Sequence, residues 1–230
     1  MPSLVKALNS QVGRKLMTGI TGIFLMLFLI GHLGGNLTIF FGEHLFNNYA
    51  HHLISLGPLL YVIETILAAI FIYHAVLGIS IARSRKKARP EGYTVYKTKG
   101  GASHQSLASK SMAITGIVIF VFVIVHVWHM KFGFGAELAH YMHEGVELPK
   151  LRERVVDAFV NPIYAFGYVI VLTMIILHLA HGFWSAFTSL GMKHNDFSKK
   201  MQMVAYAFSI LLMLGFMSIP LVIYFTGGNI

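Results

Sequence analysis

Four histidines occupy matched positions inside long apolar segments of the sequence. They are His32, His74, His126 and His178, and each lies about four helical turns from the start of its segment. An ionisable side chain at that depth in hydrocarbon is costly and usually marks function. One histidine in each of four consecutive segments therefore predicts two sites at which a metal is held between two imidazoles.

The depth of the four histidines predicts how they pair. Each lies 15 or 16 residues after the start of its segment, which is roughly 22–24 Å along a helix. Because consecutive membrane helices run in opposite directions, His32 and His126 fall in the outer half of the membrane, and His74 and His178 fall in the inner half. We call these the outer pair and the inner pair. We expect about 10–15 Å between them along the membrane normal.

Haem iron is the metal that suits these ligands best. The sequence contains no cysteine, which excludes thiolate zinc sites and iron–sulfur clusters with the usual ligands. Neutral imidazole binds iron, and a four-helix bundle builds such sites from facing helices. Two axial histidines leave no place for oxygen, as suits a b-type haem that transfers electrons. His129 and His181 each lie three residues after a candidate ligand, and depth does not decide between them and His126 or His178.

Five apolar segments must position these histidines. Each is long enough to span a bilayer of about 30 Å, which takes about 20 residues, and an open sheet cannot satisfy its backbone in lipid. The 230 residues are 56% hydrophobic and 12% charged, as in polytopic membrane proteins. We predict one all-α integral membrane domain over 1–230, in which the first four helices form a haem-binding four-helix bundle. The predicted spans are 17–41, 58–82, 111–132, 162–187 and 203–226.

The charge distribution predicts how the chain crosses the membrane. The net charge is +9 at pH 7, and lysine and arginine are concentrated in the leader 1–16 and in the loops 83–110 and 188–202. Under the positive-inside rule, this places the N-terminus on the cytoplasmic side and the C-terminus outside. We predict a multi-pass protein of the bacterial inner membrane. No pattern of a cleavable signal peptide is present. We assign the basic residues to topology and anionic lipid headgroups rather than to nucleic acid.

Two loops carry further expectations. The basic loop 83–110 is either a solvated positive loop or a docking surface for a soluble partner. The loop 133–161 carries charges of both signs and is predicted to hold a short amphipathic surface helix near 136–143 or 150–159.

The histidine segments resemble those of a known family, the cytochrome b membrane anchors of succinate:quinone oxidoreductases and fumarate reductases. The resemblance is to the single-subunit, five-helix, two-haem type and covers nearly the whole chain in order. The stretches 73–78 and 178–184 are the most specific. The matching segments are FLIGHL at 28–33, IYHAVLG at 72–78, VHVW at 125–128 and ILHLAHGFWSAF at 176–187.

The resemblance implies a specific ligand set and a specific complex. It implies that His32 and His126 hold an outer haem and that His74 and His178 hold an inner haem, in preference to His129 and His181. A flavoprotein subunit with covalent FAD would interconvert succinate and fumarate, linking the tricarboxylic acid cycle to the respiratory chain. An iron–sulfur subunit on the cytoplasmic side would pass electrons to the haems, which would relay them to or from a quinone, typically menaquinone. The resemblance does not decide whether the complex forms a higher oligomer.

Polar residues near both ends of the bundle are candidates for the quinone site. At the inner end, Ser10, Arg14 and Lys15 are candidates for contacts to haem propionates or quinone, and the alternative is interfacial anchoring. At the outer end, Glu64 lies about one-quarter of the way into the second span, where burial is costly. It is either a quinone and proton site or simply paired with a neighbour. Further outer candidates are Asn36, His44, His51 and His52.

Three other functions compete with this prediction. The first is a cytochrome b anchor of another membrane oxidoreductase, such as a hydrogenase, formate dehydrogenase or nitrate reductase. The second is a transporter with a histidine relay, which is less favoured because glycine and proline do not break matching spans. The third is a structural anchor without haem. Bound haem would separate the cytochromes from the other two.

Overall fold

Long apolar helices make up most of the protein. The computed structural model describes residues 3–88, 107–192 and 195–230. The α-helices within these ranges are α1 (Leu4–Leu8), α2 (Gln11–Leu37), α3 (Glu43–Ile54), α4 (Pro58–Ala88), α5 (Leu107–Met130), α6 (Leu151–Val160), α7 (Pro162–Ser189) and α8 (Asn195–Thr226). Five helices of the described ranges, α2, α4, α5, α7 and α8, are long and apolar enough to cross a membrane. They confirm the predicted all-α integral membrane fold.

The membrane helices extend beyond several of the predicted ends. The helix α4 continues from the apolar span through a run of basic residues to Ala88, and α2 begins at Gln11, before Arg14 and Lys15. Hydropathy marks the part of a helix that suits hydrocarbon, whereas the backbone hydrogen bonds continue into the polar flanks. The remainder of the basic loop, residues 89–106, lies outside the described residues, and so does the interpretation of that loop as a docking surface.

The loops after α2 and α5 contain secondary structure of their own. The segment 42–57, predicted as a loop, contains α3. A helix at 136–143 is wrong, because β1 (His140–His143) pairs there with β2 (Val146–Pro149) in an antiparallel hairpin. The hairpin turns at Glu144 and Gly145, which both have positive φ angles of 49° and 81°. The alternative at 150–159 is confirmed by α6.

The chain forms two compact units, as judged by the contacts within it. Each unit contains parts of the long helices. Unit 1 comprises 1–27, 67–117 and 176–210, and unit 2 comprises 28–66, 118–175 and 211–230. The inner pair of histidines lies in unit 1 and the outer pair lies in unit 2.

In unit 1, small residues allow close approach of the membrane helices. A Cβ atom placed on Gly19 of α2 would lie 3.3 Å from the Cα atom of Ala186 on α7. Phe183 of α7 and Phe208 of α8 pack with their ring centroids 5.2 Å apart. Membrane helices commonly pack through small residues such as Gly19 and Ala186.

In unit 2, the surface elements share a buried core with the membrane helices. The core consists of Ile39, Phe46, Val155, Phe159, Tyr168, Ile219 and Ile223. Asn47 of α3 is fully buried beside it. Its Oδ1 accepts the backbone N–H of Arg152 in the first turn of α6 at 2.9 Å, and its Nδ2 donates to the Tyr141 hydroxyl at 3.4 Å. One amide side chain thus joins α3, α6 and the hairpin.

The cations of this loop have local partners. Arg154 donates to the carbonyl oxygens of Lys131 and Ala136 at 3.2 and 2.9 Å. Lys150 donates to Glu153 at 2.7 Å, and this hydrogen bond raises the pKa of Lys150. The positive charges of Arg154 and Lys150 therefore serve the structure of the loop.

We expect replacement of Asn47 with alanine to destabilise unit 2. The change leaves the buried N–H of Arg152 without an acceptor, which costs about 1–3 kcal/mol. The purified protein should therefore unfold at a lower temperature in detergent. The matched control is Asn48→Ala on the exposed side of α3, which should leave the unfolding temperature unchanged. Equal melting of the two variants would contradict the role assigned to Asn47.

Candidate functional site

The inner pair is formed by α4 and α7. The ring centroids of His74 and His178 lie 6.5 Å apart with an interplanar angle of 66°. A metal bound to one nitrogen of each ring, with each bond about 2 Å long, separates the centroids by about 6 Å. The observed separation therefore fits a metal held between the two imidazoles.

Each ring of the inner pair contacts a threonine on a neighbouring helix. The Oγ1 atom of Thr21 on α2 lies 3.1 Å from Nδ1 of His74, and Oγ1 of Thr115 on α5 lies 3.2 Å from Nδ1 of His178. Both threonines are buried. The second ring nitrogen, Nε2, is the one that these contacts leave for a metal.

A glycine follows each of these threonines and faces the same histidine ring. A Cβ atom on Gly22 would lie 3.3 Å from Cε1 of His74, and one on Gly116 would lie 3.5 Å from Cε1 of His178. The absent side chains let α2 and α5 approach the rings closely.

The outer pair has the same spacing but different neighbours. The centroids of His32 and His126 lie 6.0 Å apart at an interplanar angle of 88°. Phe28 stacks on His32 at 5.2 Å, and Phe122 stacks on His126 at 5.5 Å. The Tyr168 hydroxyl lies 3.3 Å from Nδ1 of His126. This separation also fits a metal between two imidazoles.

Asn36 lies next to the outer pair, on the same helix as His32. Its Nδ2 donates to the carbonyl oxygen of His32 at 2.7 Å and lies 3.4 Å from Nδ1 of that residue. Of the outer polar candidates, Asn36 is thus the one placed beside a candidate ligand.

The alternative histidines take other positions. His129 is buried and packs against Phe134 and Tyr164, with ring centroids 4.6 and 4.5 Å away. His181 packs near Trp184 at 5.9 Å. The ring contacts described for the two candidate pairs involve His126 and His178, which favours these residues as ligands.

Each candidate pair offers a metal only two protein ligands, so the remaining ligands must come from a bound cofactor. No three histidine or acidic side chains of the described ranges converge on one point. Haem iron takes most of its ligands from the macrocycle and needs at most two from the protein. The donor set of each pair therefore fits haem.

Arg14 lies where an acidic group could bind near the inner pair. Its Nη1 donates to Oγ of Ser80 on α4 at 2.6 Å, while its Nε is buried and has no acceptor within the described part of the chain. Arg83 lines an open groove together with Ser80. A buried donor without a partner is costly, so these residues fit the carboxylate of a haem propionate. Ser80 and Arg83 were not among the sequence candidates.

The other inner candidates have simpler roles in the structure. Ser10 caps α2, because its Oγ accepts the backbone N–H of Gly13 at 3.0 Å. Lys15 is exposed on α2. Neither is brought to the inner histidines by a described contact.

Glu64 has a partner at the outer end of unit 2. Its carboxylate forms an ion pair with Lys131, which follows α5, and Lys131 lies 5.6 Å from the ring centroid of Tyr61. Both charged side chains are partly exposed, at 35% for Glu64 and 38% for Lys131.

The remaining outer histidines lie on α3. His44 stacks on His143 of β1 at 3.7 Å, and its Nδ1 lies 3.1 Å from the Tyr141 hydroxyl. His51 and His52 are neighbours at the end of the same helix, with ring centroids 6.1 Å apart. These contacts lie within α3 or between α3 and the hairpin, and none of them involves the outer pair.

The two threonines were missed by sequence reasoning, although a signal for them exists. The segments 20–32 and 114–126 are identical at seven of 13 positions, and both read Ile-Thr-Gly-Ile followed nine residues later by histidine. A threonine in an apolar span ordinarily bonds to its own helix. Only the repetition at the same distance from a candidate ligand marks Thr21 and Thr115.

Comparison with known proteins points to the family that the sequence resembles. The chain is similar to the succinate dehydrogenase cytochrome b558 subunit of Bacillus subtilis strain 168. The two are 28% identical over 163 residues, which is 69% of each chain. No family model matches the sequence, and no solved structure matches it. The similarity supports a membrane cytochrome b anchor of the succinate dehydrogenase type.

We expect replacement of His129 and of His126 to have different effects. His126→Leu removes one imidazole of the outer pair and should abolish the absorption of one haem. His129→Leu changes a residue three positions away that packs against aromatic rings, and it should leave the haem content unchanged. Reduced-minus-oxidised absorption spectra of the two purified variants measure this difference. Loss of a haem only in His129→Leu would make His129 the ligand.

Proposed function

We propose that this chain is the membrane-anchor, electron-transfer subunit of a succinate dehydrogenase or fumarate reductase complex. It relays electrons through two b haems between an iron–sulfur subunit and a membrane quinone. The observation that carries the proposal is the presence of two imidazole pairs, His74 with His178 and His32 with His126, at 6.5 and 6.0 Å. Bound haem iron supplies one-electron transfer.

The protein's own residues hold and orient the haems in this proposal. The inner pair and the outer pair would each hold one haem iron through a ring nitrogen of both histidines. Arg14, Ser80 and Arg83 would bind the propionates of the inner haem through charge-assisted hydrogen bonds. The long apolar helices exclude water around both sites, which adjusts the reduction potentials together with the hydrogen bonds to the ligands.

The complex supplies what this chain lacks. A flavoprotein subunit with FAD carries out the dicarboxylate chemistry, and the iron–sulfur subunit meets the anchor on the cytoplasmic side, where we place the N-terminus. The quinone is menaquinone in this proposal. Glu64, whose partly exposed carboxylate forms an ion pair with Lys131, is the group to which this proposal assigns the proton that accompanies quinone chemistry at the outer end.

Haem content per polypeptide tests the proposal directly. We expect two b-type haems per chain in the purified complex by the pyridine haemochrome assay, and both should be reduced by succinate or by menaquinol. One haem would mean that one histidine pair is misassigned. A complex without haem would overturn the proposal in favour of a transporter or a structural anchor.

The partners that copurify distinguish this function from that of other cytochrome b anchors. A succinate dehydrogenase or fumarate reductase brings a covalent-flavin subunit and an iron–sulfur subunit. Copurification of a hydrogenase or formate dehydrogenase subunit with a haem-loaded chain would assign it to one of those enzymes.

A further inference from the structure

We propose that Thr21 and Thr115 are positioning residues that orient the two axial ligands of the inner haem and lower its reduction potential. Each accepts a hydrogen bond from the Nδ1–H group of one inner histidine. This inference rests on the proposed function, because it requires a haem between His74 and His178.

The direction of these hydrogen bonds follows from the other contacts of the hydroxyl groups. Thr21 lies 2.8 Å from the carbonyl oxygen of Met17, and Thr115 lies 3.0 Å from that of Ser111. A carbonyl oxygen only accepts, so the single hydroxyl hydrogen of each threonine is donated to its own helix. The lone pairs of Oγ1 then face Nδ1, and that nitrogen must be the donor.

A protonated Nδ1 determines the state of the rest of the ring. A neutral imidazole carries one N–H group, so Nε2 is left with a free lone pair, which is the form that binds a metal. The hydrogen bond also fixes the rotation of the ring. The threonines therefore hold both inner imidazoles in the tautomer and orientation that a haem requires.

The surroundings keep water away from these hydrogen bonds. The exposed fractions of Thr21 and Thr115 are only 6% and 1%, so water does not compete for Oγ1. The backbone carbonyl of Thr18 on α2 is a further acceptor for the ring of His74. Gly22 and Gly116 let the backbone that carries each threonine lie against the ring. The same pair of residues thus serves both inner ligands.

The outer pair has no corresponding pair of threonines. Nδ1 of His126 lies near the Tyr168 hydroxyl, and Nδ1 of His32 lies near the Asn36 amide. A hydrogen bond that accepts from Nδ1–H increases the basicity of the ligand. A more basic ligand favours ferric iron, so we expect the threonines to lower the potential of the inner haem specifically.

Redox titration of the complete complex tests this inference. In Thr21→Val and Thr115→Val the side chain keeps its shape and loses the acceptor. We expect each variant to favour the reduced inner haem about fivefold, a rise of about 40 mV at about 59 mV per tenfold change for one electron. Thr21→Ser and Thr115→Ser keep the hydroxyl and should retain the original potential.

The matched control is Thr173→Val on α7. Thr173 is exposed and also donates to its own helix, at 2.8 Å to Val169, but no described contact joins it to a histidine. The substitution Thr173→Val should leave the reduction potentials of both haems unchanged. The haem that disappears in His74→Ala identifies the inner signal.

Each outcome bears on a different claim. An unchanged inner potential in both valine variants overturns the inference while the haems themselves support the proposed function. Loss of the inner haem in the valine variants but not in the serine variants supports it. Loss in both sets overturns it, since serine retains the acceptor. An unmodified complex without haem overturns the proposed function.

Discussion

Replacing His74 or His178 with alanine should remove one of the two b haems and leave the other in place. The two imidazoles are the only axial ligands that we assign to the inner haem, and their ring centroids lie 6.5 Å apart. Loss of either one would leave the iron with a single protein ligand and weaken its retention. Electron transfer from succinate to quinone should fall to background, because the relay is interrupted. The pyridine haemochrome assay and reduced-minus-oxidised spectra measure both effects.

His181→Ala is the matched control for this experiment. His181 lies three residues after His178 on the same helix and packs near Trp184 instead of facing His74. It should keep two haems. If His74→Ala removed only the haem that His126→Leu also removes, the pairing proposed from depth and ring contacts would be wrong.

Replacing Glu64 with glutamine should lower quinone-linked activity by at least tenfold while both haems remain. Glutamine has nearly the same shape but cannot bind a proton, and it leaves Lys131 without its ion-pair partner. Quinone reduction consumes protons, so a loss at this position slows the quinone step and not the earlier electron transfers. The measurement compares succinate oxidation with menaquinone analogues and with a soluble dye that accepts electrons before the anchor.

Two variants make the result specific. Glu64→Asp retains the carboxylate and should recover part of the activity. Glu147→Gln changes an exposed carboxylate of β2 and should have no effect. Full quinone-linked activity in Glu64→Gln would remove Glu64 from the quinone site.

The sequence predicts the fold correctly where the surroundings of a segment follow from its own composition. Hydrocarbon tolerates long apolar helices, so hydropathy predicts the membrane spans. A histidine inside such a span is unusual enough to mark a site, and the alternation of helix direction predicts its depth. The same reasoning could not find α3. Its inner face contains Phe46, Asn47 and Ala50, and that face exists only because other elements cover it.

The candidate site shows a similar limit. Its histidines stand out by chemical type, whereas Thr21 and Thr115 resemble any threonine that bonds to its own helix. Their function depends on which ring lies opposite, which is a matter of tertiary packing. Arg14 was a candidate by charge. Its contact with Ser80, which lies 66 residues further along the chain, depends on how closely α2 and α4 approach each other.

The repeat of Ile-Thr-Gly-Ile and histidine places the same pattern at the start of two helical hairpins, α2 with α4 and α5 with α7. Thr21 and His74 belong to the first hairpin, and Thr115 and His178 belong to the second. Each hairpin therefore carries one imidazole together with the acceptor that orients it, which is a complete half-site. The same local arrangement thus occurs twice in one chain, once around each ligand of the inner pair.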